Sequence, residues 1–471
     1  MTTTILKNAY LIDPTQEVKG WKDLEIIDGK VVKVCENINT INADKVYDLK
    51  GKLCVPGIID THVHLTLDGS NRGYYMLAKA GVTTALDMYG PPEKIYEHIH
   101  QYGTGINIAC LAAQPQNTDN ATHCDYDQHS IRKFIHSEMK RGALGIKLIG
   151  GHYPMSPELT KKFIQIANEE KAYIAFHVGT TNKGSNIEGF KEAIFLAEGN
   201  SFHVAHVNSY CRGQIQESIQ EVQSAIELLS SNPHLVSESY LSRYNGTSGR
   251  CEKMIPISEV TSKCLIQNGF ANTESGVENA IVAGIALVVA NVGEINAFIE
   301  NSEEALQYYR NKKGRVNLSF PINKIEAGLL LATAKNKAGD FIIPAISSDG
   351  GEIPRNVIIE KGIQMVKYGA LTHEEFVLKT SVNPAKMLGL KNKGTLGIGF
   401  DADITVIDTA KEEPVMSMVM GEIIMHEGLV IGKKGRIITT DEGSDYVKMQ
   451  NIDPYIVNIE DTLLYQRRNN K

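Results

Sequence analysis

The apolar residues in the central part of the chain fall into short runs that alternate with amphipathic, helix-like segments. Between residues 58 and 388 these short runs read as strands. They span residues 58–64, 82–88, 106–113, 143–149, 172–177, 201–207, 234–241 and 341–349. Repeated strand–helix units are typical of a parallel sheet covered by helices. The pattern therefore predicts an α/β fold, a (β/α)8 TIM-like barrel over residues 58–388.

The two ends of the chain show a different pattern, made of short strands broken by turns. Residues 5–12 and 23–27 are strand-like, and Asp28-Gly29 suits a hairpin turn. The segment from about residue 390 also consists of short strand-like runs broken by turns. We therefore expect one small β-sandwich domain built from residues 1–57 and 389–440. The polar residues 441–471 are predicted to form a C-terminal extension, either packed on a neighbouring subunit or loosely held.

The interval between the last two predicted strands is too long for a simple crossover between neighbouring strands. We therefore expect it to carry a helical excursion near the rim of the barrel. Residues 276–291 and 303–310 are the segments assigned to that excursion.

Composition and charge argue against several classes of protein, among them nucleic-acid-binding and membrane proteins. A length of 471 residues suits a barrel with a smaller domain, and a net charge of -7 argues against a nucleic-acid-binding surface. The apolar run at 280–290 is too short to span a bilayer, so no membrane partner is expected. The seven cysteines contain no Cys-x-x-Cys pair, and no secretory signal is evident. We expect free thiols and a cytoplasmic location.

Two histidines lie at the end of the first predicted barrel strand. Because side chains alternate along a strand, His62 and His64 project from one face, within reach of one metal ion. Later predicted strands hold or end in four more candidate ligands, which are Lys147, His177, His206 and Asp349. Active sites of (β/α)8 barrels are built at the C-terminal edge of the strands, so these side chains are expected to meet there. His203, three residues before His206, is expected to face a helix.

With these residues, the sequence resembles the amidohydrolase superfamily, in its hydantoinase, dihydropyrimidinase and dihydroorotase-like branch. The resemblance covers nearly all of the chain. It includes the His-x-His pair, Gly145-Ile146-Lys147, and the segments 381–390 and 399–403 near the carboxyl end.

The resemblance implies a centre of two divalent metal ions, with zinc as the default choice. His62, His64 and Asp349 would hold one ion, and His177 and His206 would hold the other. Lys147 would be carboxylated and bridge the two ions. Among its apolar neighbours this lysine should have a depressed pKa, so that its neutral amine can capture carbon dioxide.

The implied activity is hydrolysis of an amide C–N bond other than a peptide bond, in a cyclic amide, imide or ureide of small size. A metal-bridging hydroxide would attack the carbonyl, and Asp349 would act as general base and then as general acid. Three alternatives remain open: a deacylase of N-acyl amino acids or other linear amides, a non-catalytic scaffold homologue, and a mononuclear deaminase. The filled ligand positions count against the scaffold, and Lys147 counts against the deaminase.

Several polar residues on predicted rim loops are candidate substrate contacts. They are His152 and Tyr153 after the fourth strand, Asn208 and Arg212 after His206, and Arg243 and Asn245 after the seventh strand. Dihydroorotase-like proteins carry an arginine just after the His-x-His-Leu segment, whereas Thr66 follows Leu65 here. Dihydroorotate is therefore not the expected substrate. A homo-oligomer, dimeric or tetrameric, is also expected.

Overall fold

The computed structural model of the protein describes residues 2–67, 69–115 and 126–469. Its amino-terminal strands are β1 (Thr3–Asp13), β2 (Val18–Ile27), β3 (Lys30–Cys35), β4 (Lys45–Asp48) and β5 (Leu53–Pro56). The long strand β1 shifts register between Leu6 and Ala9, where Asn8 has a φ of 53°. The two parts of β1 therefore pair with different partners, β4 on one side of the shift and β5 on the other.

The central strands alternate with helices and pair in parallel. In chain order they are β6 (Ile58–His64), α1 (Arg72–Lys79), β7 (Val82–Asp87), α2 (Pro92–Tyr102), β8 (Asn107–Ala113), α3 (Gln128–Lys140), β9 (Gly145–Ile149), α4 (Pro157–Glu169), β10 (Tyr173–His177), α5 (Ile187–Ala197), β11 (His203–Val204), α6 (Ser218–Ser231) and β12 (Val236–Tyr240). These strands are almost wholly buried, which explains why they read as continuous apolar runs. Helix α4 begins where Ser156 accepts a hydrogen bond from the Leu159 amide and Pro157 follows.

An inserted region follows β12 and has its own apolar core. It contains β13 (Thr247–Ser248), β14 (Cys251–Glu252), β15 (Ile255–Pro256), α7 (Glu259–Gln267), α8 (Glu274–Val282), β16 (Leu287–Val292), β17 (Ile295–Phe298), α9 (Ser302–Asn311), β18 (Asn317–Ser319) and α10 (Ile325–Thr333). The helix predicted at 303–310 lies within α9. The prediction of helix across 276–291 is wrong in its second half, because Gly284 has a φ of 69° and residues 287–292 pair with β17 and β18.

The parallel sheet ends in one short segment of chain. Strand β19 (Ala345–Ser347) pairs with β12, and β20 (Gly350–Gly351) pairs with β6. Only Ser348 and Asp349 separate β19 from β20, so this segment contacts both ends of the sheet. It is followed by α11 (Ile358–Lys367), α12 (His373–Val377), a π-helical turn (Leu378–Val382) and α13 (Asn383–Met387). The predicted α/β architecture with a parallel sheet is confirmed.

The next strands return to the amino-terminal region. They are β21 (Ile404–Asp408), β22 (Glu413–Val419), β23 (Glu422–His426) and β24 (Leu429–Val430). In the described part of the chain, β21 pairs with β5 and completes a nine-stranded sheet in the order β24-β23-β22-β21-β5-β1-β2-β3, with β4 beside β1. A mostly β region, separate from the parallel sheet and formed from both chain ends, is therefore present as predicted.

The carboxyl-terminal residues pack on the parallel sheet of their own chain. They form β25 (Ile437–Thr439), α14 (Asp441–Met449), β26 (Pro454–Ile456) and α15 (Leu463–Asn469). Strand β25 pairs in parallel with β8, and the Tyr465 hydroxyl donates to the carbonyls of Ala167 and Ala172 at 3.3 and 2.8 Å. Leu464 and Tyr465 share a buried cluster with Tyr173. The expectation of a loosely held tail is therefore wrong for the described residues, because a few buried apolar side chains hold this mainly polar segment against the sheet, whereas its packing on a neighbouring subunit stays a prediction.

Helices able to cross a bilayer were sought in the described ranges, and none of sufficient length and apolar character occurs there.

Candidate metal centre

The carboxyl ends of the parallel strands bring the predicted ligands to one cavity of about 420 Å³. Strands β6 and β10 end at His64 and His177, and Lys147 lies within β9. His206 follows β11, and Asp349 lies between β19 and β20. The cavity is lined by every predicted ligand, namely His62, His64, Lys147, His177, His206 and Asp349. The structure thus brings together residues spread over most of the barrel sequence.

Three of these residues form a compact group. The Nε2 atom of His64 lies 3.1 Å from Oδ1 of Asp349, and Nε2 of His62 lies 3.4 Å from the same oxygen. Each of these three residues offers one ligand atom, and the three atoms all lie within 4.8 Å of one another. Two imidazole nitrogens and a carboxylate oxygen at this spacing could hold one divalent ion.

The other two histidines adjoin this group. The ring centroids of His177 and His206 are 4.3 Å apart, and those of His206 and His62 are 5.0 Å apart. His177 makes a hydrogen bond of 3.0 Å between its Nε2 and the Ser185 hydroxyl, which leaves its Nδ1 for another partner. Burial, and then the neighbouring His206, hold the pKa of His177 well below its ordinary value. The ring is therefore neutral, the form that binds metals.

Two of the candidate ligands have a backbone conformation that is unusual for residues other than glycine. His206 has a φ of 35° and Asp349 has a φ of 50°. Such left-handed residues cost about 1–3 kcal/mol each and cluster at functional sites. At His206 the bend also breaks the alternation of the strand. The expectation that His203 faces a helix is consequently wrong: its Nδ1 lies 3.1 Å from the hydroxyl of Tyr173, a residue of the adjacent strand.

Lys147 is buried without a strong partner. Its side chain is 2% exposed, and its Nζ lies 2.9 Å from the sulfur of Met88, a weak acceptor. Among the residues that the structure describes, Lys147 makes no ion pair within 4 Å. Burial lowers its pKa to about 7, although Glu238 and Asp349 oppose the shift. A large share of this lysine is therefore a neutral amine near neutral pH.

Glu238, a residue of β12 that was not among the predicted site residues, anchors two of the histidines. This carboxylate is fully buried, and its Oε1 accepts hydrogen bonds from Nδ1 of His62 at 2.7 Å and from the backbone N–H of His206 at 2.5 Å. Its Oε2 accepts from the Ser347 hydroxyl. A carboxylate on Nδ1 fixes the tautomer of His62 and turns Nε2 toward the cavity. The only sequence signal was an acidic residue inside a buried strand.

Arg355 is the second residue that the sequence did not reveal. Its Nη2 lies 2.7 Å from Oδ2 of Asp349, its Nε donates to the Asp349 carbonyl, and its side chain is 2% exposed. Burial alone would raise the pKa of Asp349, but Arg355 and the neighbouring histidines hold it well below its ordinary value. Arg355 thus keeps the carboxylate ionised and oriented with Oδ1 toward the histidines.

Four of the six predicted substrate contacts line the same cavity. These are His152, Tyr153, Arg212 and Asn245. Burial lowers the pKa of His152 to about 4, and its Nδ1 lies 3.1 Å from the Ser258 hydroxyl. Among the residues that the structure describes, the Arg212 guanidinium donates only to neutral oxygens, those of Asn323, Ser209 and Tyr240. The Asn245 amide is already engaged, because it accepts from the Phe320 amide and donates to the sulfur of Cys264.

The structure does not bring the other two predicted contacts to the cavity. Asn208 lies behind its wall, where its Oδ1 accepts from the backbone N–H of Tyr240. Arg243 is exposed and lines a different, outward-facing groove. The reason is the turn after β12, in which the Asn323 amide donates to the carbonyls of Ser242 and Tyr244 and directs Arg243 away from the barrel mouth.

Comparisons with known proteins agree with this geometry. The amidohydrolase family profile matches residues 267–435. A dihydroorotase of Acetivibrio thermocellus is 25% identical over 436 residues, which cover 87% of this chain and 90% of that protein. The fold resembles dihydropyrimidinase from Brevibacillus agri, with a TM-score of 0.60 and 15% identity over 92% of this chain and 98% of that one.

A third likeness is to an N-acyl-D-glutamate deacylase from Bordetella bronchiseptica, solved in complex with zinc and a phosphonate inhibitor. The TM-score is 0.64, with 13% identity over 92% of this chain and 98% of that chain. At this identity the likeness concerns the fold. The profile match, the dihydroorotase relative and the His–His–Asp group in the cavity thus make the chain similar to the amidohydrolase family, and to its cyclic amidohydrolase branch.

Proposed function

We propose that this protein is a metal-dependent hydrolase that cleaves an amide C–N bond of a small cyclic amide, imide or ureide. One observation carries the proposal: the six candidate ligands line one cavity, in which the buried Lys147 adjoins His62, His177 and His206, whose pKa values burial holds well below their ordinary value. A buried ammonium is costly unless it is paired, so a lysine at this position suits conversion to an anion better than a structural role.

The chemistry of the donor set fits divalent metal ions. Glu238 occupies Nδ1 of His62 and Ser185 occupies Nε2 of His177, so each ring has one nitrogen left. Nδ1 of His206 is buried with no hydrogen-bond partner among the described residues. We infer that His62, His64 and Asp349 hold one ion, that His177 and His206 hold a second, and that both are zinc. Bound ions of this kind polarise a carbonyl and acidify water.

We infer that Lys147 is carboxylated. Its neutral amine would add to carbon dioxide and lose a proton, which leaves a carbamate with two oxygens and one negative charge. The depressed pKa of Lys147, about 7, supports this step because only the unprotonated amine reacts. The carbamate would serve as a ligand shared by the two ions.

Asp349 is the proposed proton carrier. With Oδ2 held by Arg355, its Oδ1 is the oxygen that faces the histidines. Asp349 would take a proton from the attacking water and then give it to the departing nitrogen of the amide. Arg212 and His152, on the wall of the same cavity, are the residues that we assign to substrate binding.

A linear amide, such as an N-acyl amino acid, is the second candidate substrate. The observation that favours it is the extent of the site: the cavity adjoins a second space that shares Leu67, Ser248, Arg250 and Asn317 with it. An extended substrate would use that space, whereas a small ring would not need it.

We also propose that the parallel strands close into a (β/α)8 barrel over residues 58–388, since β20 joins β6 directly after β19 joins β12. Residues 1–57 with 389–440 would form the smaller β-sandwich domain, and residues 441–471 the extension. Exposed apolar side chains at Ile325, Leu329 and Tyr368 support a homo-oligomer. The free cysteines support a reducing cytoplasmic location.

The proposed reaction is tested by assaying zinc-replete protein with hydantoins, dihydropyrimidines, lactams and N-acyl amino acids. We expect turnover of the cyclic compounds, and turnover restricted to the linear ones would favour the second candidate. Glu221→Gln, which alters a buried carboxylate beside the loop after Arg212, is a control that should keep the substrate preference. Absence of turnover throughout, with metal bound, would contradict the proposed function.

A further inference from the structure

A second space, here named the outer chamber, opens beside the candidate metal centre. It has a volume of about 430 Å³ and shares Leu67, Ser248, Arg250 and Asn317 with the inner cavity. Its other lining residues come from the insertion after β12, namely Val289, Asn291, Asn296, Tyr308, Lys312, Arg315 and Val316. The two spaces therefore adjoin along these four side chains, so a group in the outer chamber could belong to a molecule that reaches the metal centre.

The outer chamber is positively charged. Arg250, Lys312 and Arg315 line it, and no carboxylate lies among its lining residues in the described ranges. Lys312 and Arg315 are exposed, and neither forms an ion pair with a residue that the structure describes. Arg250 pairs with the exposed Glu252, a contact of little strength in water. Because the whole chain carries a net charge of -7, this concentration of cations is a local feature.

The insertion holds these cations in fixed places. The Gly249 amide donates to the Val316 carbonyl at 2.8 Å, and the Tyr309 hydroxyl donates to the Gly249 carbonyl at 3.0 Å. These bonds join the loop that carries Arg250 to the turn that carries Lys312 and Arg315. Lys312 also lies over the ring of Tyr308, with its Nζ 5.5 Å from the ring centroid. The backbone that carries the three positive side chains is therefore held in place by hydrogen bonds within the insertion.

We propose that the outer chamber binds an anionic group of the substrate, at a distance from the amide that is cleaved. This inference rests on the proposed function and narrows its substrate class to amides that carry a carboxylate or a phosphate. Guanidinium and ammonium groups recognise both anions through charge-assisted hydrogen bonds. The metal centre would act on the amide while Arg250, Lys312 and Arg315 hold the charged end.

The test uses hydantoins with carboxyalkyl chains of increasing length at the ring carbon, each matched with the carboxamide of the same length. We expect the unaltered protein to show a higher kcat/KM for the acid than for the amide at one chain length, by about tenfold for two exposed charge contacts. The double variant Lys312→Gln/Arg315→Gln, which keeps Arg250, should lose most of this preference and keep its kcat/KM for the carboxamides.

A matched control is the double variant Lys313→Gln/Lys337→Gln. It removes the same charge from exposed lysines that do not line the outer chamber, and it should keep the preference. Phosphonate-ended chains distinguish the two anions, since a higher kcat/KM than for the carboxylates would assign the outer chamber to phosphate. Equal kcat/KM values for acid and carboxamide at every length would overturn the proposal.

A binding measurement separates this proposal from the proposed function, because it needs no turnover. Calorimetric titration with tricarballylate should show binding to the zinc-replete protein that weakens at least about tenfold in Lys312→Gln/Arg315→Gln. If no amide is hydrolysed but this difference is found, the proposed function fails and the anion site stands. The same affinity in both proteins would overturn the anion site.

Discussion

Replacing Glu238 by Gln should weaken metal binding as well as the fold. The substitution keeps the size of the side chain but removes the charge that accepts from Nδ1 of His62 and from the His206 amide. A hydrogen bond to a charged group is worth about 1.5–3 kcal/mol, against about 0.5–1.5 kcal/mol for a neutral one. Two such bonds should cost about 2 kcal/mol of unfolding free energy, and zinc affinity should fall about 10–100-fold.

The assay is competition for zinc with a chelator, alongside chemical unfolding of the metal-free protein. Glu221→Gln is the matched control, because Glu221 is also fully buried and accepts from the amides of Gly213 and Ile215, outside the cavity. Its unfolding free energy should fall by a similar amount while its zinc affinity stays unchanged. Equal zinc affinity in the two variants would refute the positioning role of Glu238.

Three further outcomes are expected. Asp349→Asn should lower kcat far more than it raises KM in steady-state assays, and near-normal kcat would remove Asp349 as the proton carrier. Gly151→Ala places a Cβ about 1.9 Å from Nε2 of His177, so we expect the variant to bind less zinc in metal analysis. Its helix content, measured by circular dichroism, should change little. Full zinc content would show that the His177 ring can shift. Between pH 7 and 10.5 the free energy of unfolding of the metal-free protein should gain more than that of Lys147→Met in denaturant titrations, because the unfolded Lys147 holds its proton up to about 10.5 and the folded one only to about 7. The same change in both proteins would show that Lys147 makes no contribution.

The sequence predicted the parallel strands and the ligand set for a clear physical reason. Strands buried on both faces are rich in apolar residues, so most of them stand out as short runs. A histidine or an aspartate at the end of such a run, or a lysine within it, is then conspicuous, as at His177 and Lys147. The six candidate ligands could therefore be found without knowing which strands are neighbours.

The missed features depend on contacts that no local pattern encodes. Glu238 acts through His62, which lies 176 residues earlier, and Arg355 acts through Asp349, across the turn that follows β20. Strand alternation failed at His203 because the left-handed residue at His206 interrupts it. The position of Arg243 depends on the Asn323 amide, which turns the loop from about eighty residues away. In the C-terminal extension, a few buried apolar side chains such as Leu464 and Tyr465 determine how a mainly polar segment packs.

The most direct test of a two-ion centre is the zinc content of the purified protein and of Lys147→Ala. We predict two zinc ions per chain in the unaltered protein, and in the variant a loss of zinc and activity that short-chain carboxylic acids partly restore. Lys379→Ala removes another buried lysine, whose Nζ donates to the Ile343 carbonyl away from the cavity, and should keep its zinc. Full zinc content and activity in Lys147→Ala would contradict the proposed bridging role of this lysine.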